Sequence, residues 1–447
     1  MDKLCKRRYK KCYYILFIMI LSVIQILFFT SSSPSSSSNI NDEFDYSAVI
    51  YPSPFDINRA NLLVYFNKKD FLASNEDNIS LSKYHKILDD DIRNINKTNE
   101  NFLFIEYTNI FGYKKFCTKT QREIFGDKCP YKNCFYSCNR SLASQAHLLL
   151  FHKYDTTPNT IPSQNFTRNS SQIWLLWHDE PNFIHGYDLN IYKFNWTMSY
   201  VFDAEASIGA YGMTIIKEKP LSNEEFNNYI SQEFSSRYHQ ALWFVTNCGA
   251  KRRLNYFREL RQYFPIQVFG SCVQLNESLP SLNARQLAKQ LIRSENIYNK
   301  TFKSIDCNRW SSCEEEQVKL HMFYLAFESQ SCKDYITEKF WRALKYGLIP
   351  IALGPLSKEH YRRIAPPNSF IYTNDFSNAK ALAQHMYDII NNEKLFRFYH
   401  NWRQYYYTGY RASELEKYRL CEICHRLNTM KRRQHYSDVK AFFTQQC

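Results

Sequence analysis

The sequence has no internal repeat, no DNA- or RNA-binding signature and only one long apolar run. It is also short of acidic residues, with 43 Asp and Glu against 57 Lys and Arg, a formal charge of +14. The basic residues are scattered among aromatic residues, so this excess does not indicate a nucleic-acid partner. General disorder is excluded, because 44% of the 447 residues are hydrophobic and 34 Tyr and 34 Phe supply core material for two globular domains.

The one long apolar run covers residues 12–30 and follows a short basic segment, residues 1–11. Its length is close to the ~20 residues that cross a bilayer, which predicts a transmembrane helix. The alternative is a cleaved signal peptide, but the run is longer than the apolar part of a typical one. The basic segment predicts a cytosolic tail and a lumenal remainder, which is a single-pass type II topology. Residues 31–100 begin serine-rich, stay largely polar and are predicted to form a stem.

The remainder has the features of a protein that passes through the secretory pathway. Twelve of the 14 cysteines lie beyond the apolar run, where disulfides persist. The close spacing of Cys134 with Cys138 and of Cys421 with Cys424 also fits zinc, but a lumenal setting favours disulfides, whose pairing the sequence leaves open. Asn-x-Ser/Thr sequons occur at Asn78, Asn96, Asn139, Asn165, Asn169, Asn195, Asn276 and Asn299.

The lumenal part is predicted to be an α/β protein with two α/β domains, residues 101–220 and 240–425. The first domain has strands at residues 102–107, 172–177 and 194–200 and a helix at 144–152. A linker at 221–239 and a C-terminal tail at 426–447 flank the second domain. That domain alternates strands (241–246, 266–270, 323–327, 349–353, 370–372) with helices (252–263, 283–294, 335–346, 378–391), which predicts a parallel sheet covered on both faces.

The most informative segment follows the strand at 323–327 and reads Phe-Glu-Ser-Gln-Ser-Cys-Lys-Asp-Tyr-Ile-Thr-Glu-Lys. Asp334 is predicted to cap a helix whose first turns carry Tyr335, Glu338 and Lys339. Backbone N–H groups and the positive end of the helix dipole favour phosphate there, and Lys339 adds a full charge. A neighbouring carboxylate can accept hydrogen bonds from sugar hydroxyls. The pattern therefore predicts a nucleotide site at the C-terminal end of the strand.

This segment resembles the donor-binding motif of the α1,3/α1,4-fucosyltransferases, glycosyltransferase family 10. The resemblance implies a GT-B fold, in which two Rossmann-like domains face a cleft, behind a transmembrane helix and a stem. The C-terminal domain would bind GDP-fucose and the N-terminal domain would face the acceptor. The implied reaction is the inverting transfer of L-fucose from GDP-β-L-fucose to an N-acetylglucosamine hydroxyl of glycoprotein or glycolipid glycans, in α1,3 linkage, at the Golgi membrane. No obligatory metal is implied.

Two further segments carry the same resemblance and assign roles to residues. Residues 246–260 resemble the family's Ser-Asn-Cys segment, whose arginine binds the diphosphate; Arg253 is the matching position and Arg252 is the alternative. Residues 173–181 resemble the segment with the proposed catalytic base, which assigns that role to Glu180, with Asp179 as the substitute. Desolvation in a cleft partly lined by Trp177 would raise the proton affinity of that base. The nearby histidines, at positions 178 and 185, are weaker candidates.

Four positions depart from the family pattern. Val201 stands where arginine is usual, Glu205 follows Ala204 where the family has Ser-Asp, and Ser329 replaces the asparagine of the donor motif. The departures at Val201 and Ser329 motivate an alternative, a catalytically inactive glycan-binding relative. A protein O-fucosyltransferase is the second alternative. Asp203 and Glu205 have the spacing of an Asp-x-Asp metal site, but the resemblance implies that basic residues neutralise the diphosphate. It also implies that Cys421 and Cys424 join a disulfide framework.

Overall fold

The computed structural model describes residues 85–87, 101–162, 166–181, 186–272, 281–291, 307, 311–410, 412–429, 434–444 and 446–447. The predicted cytosolic tail, the predicted membrane anchor and nearly all of the predicted stem lie outside these ranges. Within them, no helix combines the length and the apolar character that a membrane crossing requires.

The described ranges form an α/β structure. The strands are β1 His85–Ile87, β2 Phe102–Glu106, β3 Cys134–Ser137, β4 Leu148–His152, β5 Ile173–Trp177, β6 Trp196–Met198, β7 Met213–Ile216, β8 Tyr238–Phe244, β9 Ile266–Phe269, β10 His321–Phe327, β11 Ile349–Leu353, β12 Ile371–Tyr372, β13 Tyr406–Gly409 and β14 Gln434–Tyr436. The α-helices are α1 Gln121–Phe125, α2 Asn223–Ser236, α3 Lys251–Leu260, α4 Leu282–Leu291, α5 Ser312–Leu320, α6 Glu338–Lys345, α7 Glu359–Arg362, α8 Ala379–Ile390, α9 Glu393–His400, α10 Ala412–Thr429 and α11 Val439–Thr444.

Two five-stranded sheets, each entirely parallel, organise the molecule. The first has the order β3-β2-β4-β5-β6 and the second has the order β12-β11-β10-β8-β9. Every residue of β4, β5, β10 and β11 is buried, as expected for strands covered on both faces. The prediction of an α/β fold with parallel sheets is confirmed.

The predicted helix at residues 144–152 is wrong. Residues Leu148–His152 form β4, which pairs with β2 on one side and with β5 on the other. A short continuous apolar run is compatible with both a buried helix and a central strand, because it shows neither the 3.6-residue period of a helix nor the two-residue alternation of a half-buried strand. Here two flanking strands supply backbone partners, so the strand is formed.

The two segments predicted to lie outside the α/β domains, the linker and the C-terminal tail, contain regular structure. Most of the predicted linker forms α2, which begins with a capping box between Ser222 and Glu225 that the sequence displays. In the predicted tail, β14 pairs with β1, and Phe442 and Phe443 of α11 are buried. The tail is part of the fold because its aromatic residues enter an apolar cluster under the first sheet.

All 12 cysteines of the described residues form disulfides. Cys421 and Cys424 of α10 bond to Cys129 and Cys134, so two bridges tie α10 to β3 and to the segment before it. This excludes the zinc alternative for the Cys-x-x-Cys pair. The other bridges are Cys117–Cys138, Cys248–Cys272, Cys307–Cys313 and Cys332–Cys447.

Candidate active site

Two adjacent carboxylates, Asp179 and Glu180, follow β5 and lie in different surroundings. Arg419 of α10 donates hydrogen bonds of 2.7 and 2.9 Å to the two carboxylate oxygens of Asp179. The indole N–H of Trp177 donates to the same carboxylate over 2.5 Å. Asp179 is therefore engaged inside the protein, whereas Glu180 is exposed. Of the two carboxylates, Glu180 is the one that an incoming substrate can reach.

Glu180 lies against the donor-motif segment of the other half of the molecule. The hydroxyl of Tyr335 lies 3.5 Å from its Oε2 atom. Although Glu180 is open to solvent, the protein groups around its carboxylate partly desolvate it, and this desolvation raises its pKa. The charges of Asp179 and Glu338 add to the rise, and Lys339 and the Tyr335 hydroxyl oppose it. The net shift is upward, in the direction that the sequence predicts for a base that works near neutral pH.

The loop before α6 differs from the prediction. Asp334 does not cap the helix; Thr337 occupies the N-cap position. Asp334 adopts a left-handed conformation, with φ of 61°, and accepts hydrogen bonds from the Phe202 amide at 3.0 Å and from His360 Nδ1 at 2.7 Å. Its carboxylate thus joins this loop to the segment after β6, a long-range contact that local capping patterns do not reveal.

A buried carboxylate, Glu328, lies at the start of α6. It accepts hydrogen bonds from the Thr337 amide and hydroxyl, each at 2.7 Å, and lies 3.4 Å from the ammonium group of Lys339. The positive end of the helix is therefore partly neutralised by the chain itself. A phosphate at this helix start would share the positive end of the dipole with Glu328.

Lys339 is held between two carboxylates. Its ammonium group lies 3.2 Å from Glu338, donates to the Thr337 hydroxyl at 2.9 Å, and contacts Glu328 as described. Burial lowers the pKa of Lys339, but Glu328 and Glu338 outweigh burial and the net pKa shift is upward. Lys339 is therefore a fixed cation, and 19% of its side chain remains exposed.

The two arginines of α3 approach the donor-motif segment differently. Arg253 is buried, with 3% of its surface exposed, and donates to the carbonyls of Phe327 at 3.1 Å and Asn247 at 2.8 Å. Its Nε atom has no hydrogen-bond partner in the described ranges. Arg252 is exposed and donates to the Ser331 hydroxyl and the Gly354 carbonyl. Both guanidinium groups reach the C-terminal ends of the strands, so both candidates stay open.

Tyr335 is enclosed by aromatic rings from the first half of the chain. Its ring packs edge-on against Tyr200, with centroids 5.0 Å apart, and against Tyr211 at 5.9 Å. Ser329, the departure from the family asparagine, hydrogen-bonds to Tyr335. The departure Val201 is fully buried in an apolar cluster. Ser329 thus keeps a polar contact with Tyr335, and Val201 packs among apolar side chains.

The other candidates of this region do not converge on one point. Asp203 pairs with Lys333 at 2.7 Å, whereas Glu205 is buried and accepts hydrogen bonds from the Thr197 amide and the Tyr436 hydroxyl. His178 is buried against the rings of Tyr154 and Phe443. The second histidine candidate, at position 185, lies outside the described residues.

The structure thus brings four of the five predicted site residues into one cluster: Glu180, Tyr335, Glu338 and Lys339. The fifth, Arg253, is linked to this cluster electrostatically through Glu328 and Tyr335. Sequence reasoning missed Glu328 and Arg419. The place of Glu328 directly after a buried strand was a usable signal for Glu328, but no local pattern links Arg419 to a residue 240 positions earlier.

Two family models match this chain. "Fucosyltransferase, N-terminal" matches residues 103–212, and "Glycosyltransferase family 10 (fucosyltransferase) C-term" matches residues 234–442. Together they cover both parallel sheets. The chain belongs to glycosyltransferase family 10, the fucosyltransferases. Its enzymatic class is therefore that of a glycosyltransferase.

Curated relatives agree with the family. "Glycoprotein 3-alpha-L-fucosyltransferase A" of Drosophila melanogaster is 28% identical over 326 residues, which are 72% of this chain and 56% of that protein. "Alpha-(1,3)-fucosyltransferase 7" of Mus musculus is 27% identical over 333 residues, 73% of each chain. The alignment thus spans just over half of the Drosophila enzyme. A solved "alpha1,3-Fucosyltransferase with GDP-fucose" aligns over 69% of this chain and 84% of its own, at 11% identity and a TM-score of 0.37.

Proposed function

We propose that this fucosyltransferase moves L-fucose from GDP-β-L-fucose to an N-acetylglucosamine hydroxyl of glycoprotein or glycolipid glycans, forming an α1,3 linkage with inversion. The observation that carries the proposal is the contact between Glu180 of the first half and Tyr335 of the donor-motif segment, with Lys339 held nearby. A proton acceptor and a fixed cation thus face the same space. The names of the relatives support the transfer of fucose in α1,3 linkage.

In this mechanism Glu180 removes the proton of the acceptor hydroxyl as its oxygen attacks C1 of fucose. The bond from C1 to the diphosphate oxygen breaks on the opposite face, and GDP leaves with the bonding electrons. Arg253 and Lys339 stabilise the charge that builds on GDP, which typically contributes several kcal/mol. Glu338 would accept hydrogen bonds from the ribose, and Tyr335 would shape the nucleotide pocket. No step in this scheme requires a metal ion.

We place the two parallel sheets in a GT-B arrangement, with the donor on the second sheet and the acceptor on the first. Contacts between the halves support a shared cleft: Asp334 binds the Phe202 amide and Lys333 pairs with Asp203. The disulfides support an oxidising compartment. With the apolar run at residues 12–30, they support a type II protein of the Golgi membrane, whose lumenal side holds the site.

The proposal is tested with the full-length protein in detergent, labelled GDP-fucose and three acceptors: N-acetyllactosamine, the LacdiNAc disaccharide and an N-glycan core. The wild type should fucosylate at least one of them at the 3-hydroxyl of N-acetylglucosamine. Glu180→Gln should lower kcat by about 10²- to 10⁴-fold, the usual effect of losing a general base. Glu224→Gln, at an exposed position of α2, is the matched control and should keep wild-type activity.

Transfer to a folded protein acceptor in place of the glycans would favour a protein O-fucosyltransferase. Glycan binding without any turnover of GDP-fucose would favour an inactive glycan-binding protein. Either result would overturn the proposed reaction.

A further inference from the structure

Two exposed aromatic rings stack on each other in the first half of the molecule. Phe111 is 59% exposed and Tyr154 is 47% exposed. Their ring centroids are 5.9 Å apart and their planes are inclined by 29°. About half of the surface of each side chain thus stays in contact with solvent, so the two adjacent rings offer an apolar surface that a ligand can cover.

The pair lies at the same edge of the first sheet as Glu180. Phe111 follows β2, Tyr154 follows β4, and Glu180 follows β5, and these three strands are parallel neighbours. His152, at the end of β4, is in register with Trp177, at the end of β5. The loops that carry the two rings therefore emerge beside the loop of the proposed base, at the edge where open parallel sheets bind ligands.

Phe111 lies in a turn whose backbone conformation is unfavourable for a bulky residue. Phe111 has a φ of 52° and Gly112 a φ of 81°, and bulky residues rarely adopt the left-handed region. Asp155 stabilises the turn by accepting hydrogen bonds of 2.8 Å from both amides, and His152 contacts the same carboxylate at 2.6 Å. A strained, well-anchored backbone that presents an aromatic ring to solvent points to a binding role.

Charges near the pair link it to the reaction site. The ammonium group of Lys153 lies 3.9 Å from the ring centroid of Tyr154. The charge of Glu180 acts on both side chains. Burial lowers the pKa of Lys153 to about 8, and the negative charge of Glu180 opposes this shift. Burial raises the pKa of Tyr154, and the charge of Glu180 raises it further. A ligand on the pair would thus lie within electrostatic reach of Glu180.

We infer that Phe111 and Tyr154 form a stacking platform for a neutral pyranose ring of the acceptor glycan, which positions that sugar beside Glu180. This inference rests on the proposed function. The apolar face of a pyranose presents C–H groups with partial positive charge, and the faces of aromatic rings are negative. The hydroxyls at the rim of the sugar stay free, so one of them can reach the base while the face of the ring is held.

The test separates acceptor binding from donor binding. In full-length protein, Tyr154→Leu and Phe111→Leu should each raise the acceptor KM about 5- to 10-fold, as expected for the loss of one ring stack. The KM for GDP-fucose and the slow hydrolysis of GDP-fucose without acceptor should stay within about twofold. Tyr154→Phe keeps the ring and should resemble the wild type. Tyr405→Leu removes another half-exposed ring and is the control.

An unchanged acceptor KM in the double Leu variant would overturn the platform, as would a Tyr154→Phe variant as impaired as Tyr154→Leu. If the wild type shows no transfer, saturation-transfer NMR in the presence of GDP measures whether N-acetyllactosamine binds to the wild type and to the Leu variants. Binding that both Leu variants lose would support the platform although the proposed reaction fails. Binding that they retain, or no binding to the wild type, would overturn it.

Discussion

The guanidinium group of Arg419 donates two hydrogen bonds to the carboxylate of Asp179 in a bidentate arrangement, and Asp179 directly precedes the proposed base. Arg419 belongs to α10, and two residues later Cys421 is bonded to Cys129 of the first half. Helix α10 thus holds the loop that carries Glu180. If Glu180 is the base, as proposed, Arg419 is a positioning residue that acts through Asp179.

Removal of this arginine should shift the pH dependence of the enzyme. In Arg419→Met, Asp179 loses its compensating cation, and its charge raises the pKa of Glu180 further. The base works only when deprotonated, so the acid limb of kcat/KM should move to higher pH, by about one unit. Asp179→Asn removes the repelling charge and should move the limb to lower pH. If both variants shift the acid limb of kcat/KM in the same direction, or if neither shifts it, this role of Arg419 is contradicted.

Lys339 should matter for stability as well as for the reaction, because Glu328 is buried beside it. Lys339→Met leaves that carboxylate without its cation, and breaking such a buried pair costs about 3–5 kcal/mol. Lys333→Met, in the loop before α6, breaks the half-exposed pair with Asp203 and should cost less than about 1 kcal/mol. Urea unfolding measures both variants; equal losses would be inconsistent with the buried pair.

Stability should fall on the acid side of neutrality because of buried histidines. Burial lowers the pKa of His321 to about 4, whereas the unfolded value is near 6.5. The unfolded chain therefore takes up the proton first, so stability is intact above pH 6.5 and is lost as the pH falls toward 4. By linkage this residue should account for about 2 kcal/mol of the loss at pH 5. His321→Gln should reduce the difference in unfolding free energy between pH 7 and pH 5 by that amount; an unchanged difference would refute the assignment.

The bridges Cys129–Cys421 and Cys134–Cys424 should act together. They close nearly the same loop, with separations of 292 and 290 residues. Without one bridge, the other still restrains the unfolded chain, so removing either pair should cost about 2 kcal/mol. Removing both should cost more than the sum of the two single losses. Urea unfolding or thermal melting of the variants in which one or both cysteine pairs are changed to alanine measures these losses. If the loss in the double variant equals the sum of the two single losses, the shared loop is contradicted.

The sequence predicted the second half of the fold better than the first. The strand–helix alternation from β8 to α8 is locally encoded by apolar runs and helix periodicity. Strand β4 was misread because its five apolar residues show no period, and only its two neighbouring strands decide its state. The order of the first sheet, with β2 between β3 and β4, depends on such pairings.

The candidate site divides in the same way. The segments that supply Glu180, Tyr335, Glu338 and Lys339 were recognisable as short motifs at strand ends. The engagement of Asp179 by Arg419 and of Asp334 by His360 and the Phe202 amide could not be predicted, because each joins segments far apart in the chain. Long-range partners decide which of several plausible polar residues stays accessible.

Calorimetric titration of the full-length protein with GDP tests the central claim most directly. The wild type should bind GDP at one site, and Arg253→Met and Lys339→Met should each weaken binding at least about tenfold, since a lost charge-assisted hydrogen bond costs about 1.5–3 kcal/mol. Glu180→Gln should bind GDP like the wild type while it loses transfer. The absence of GDP binding to folded wild-type protein, or binding that survives the loss of both cations, would contradict the account.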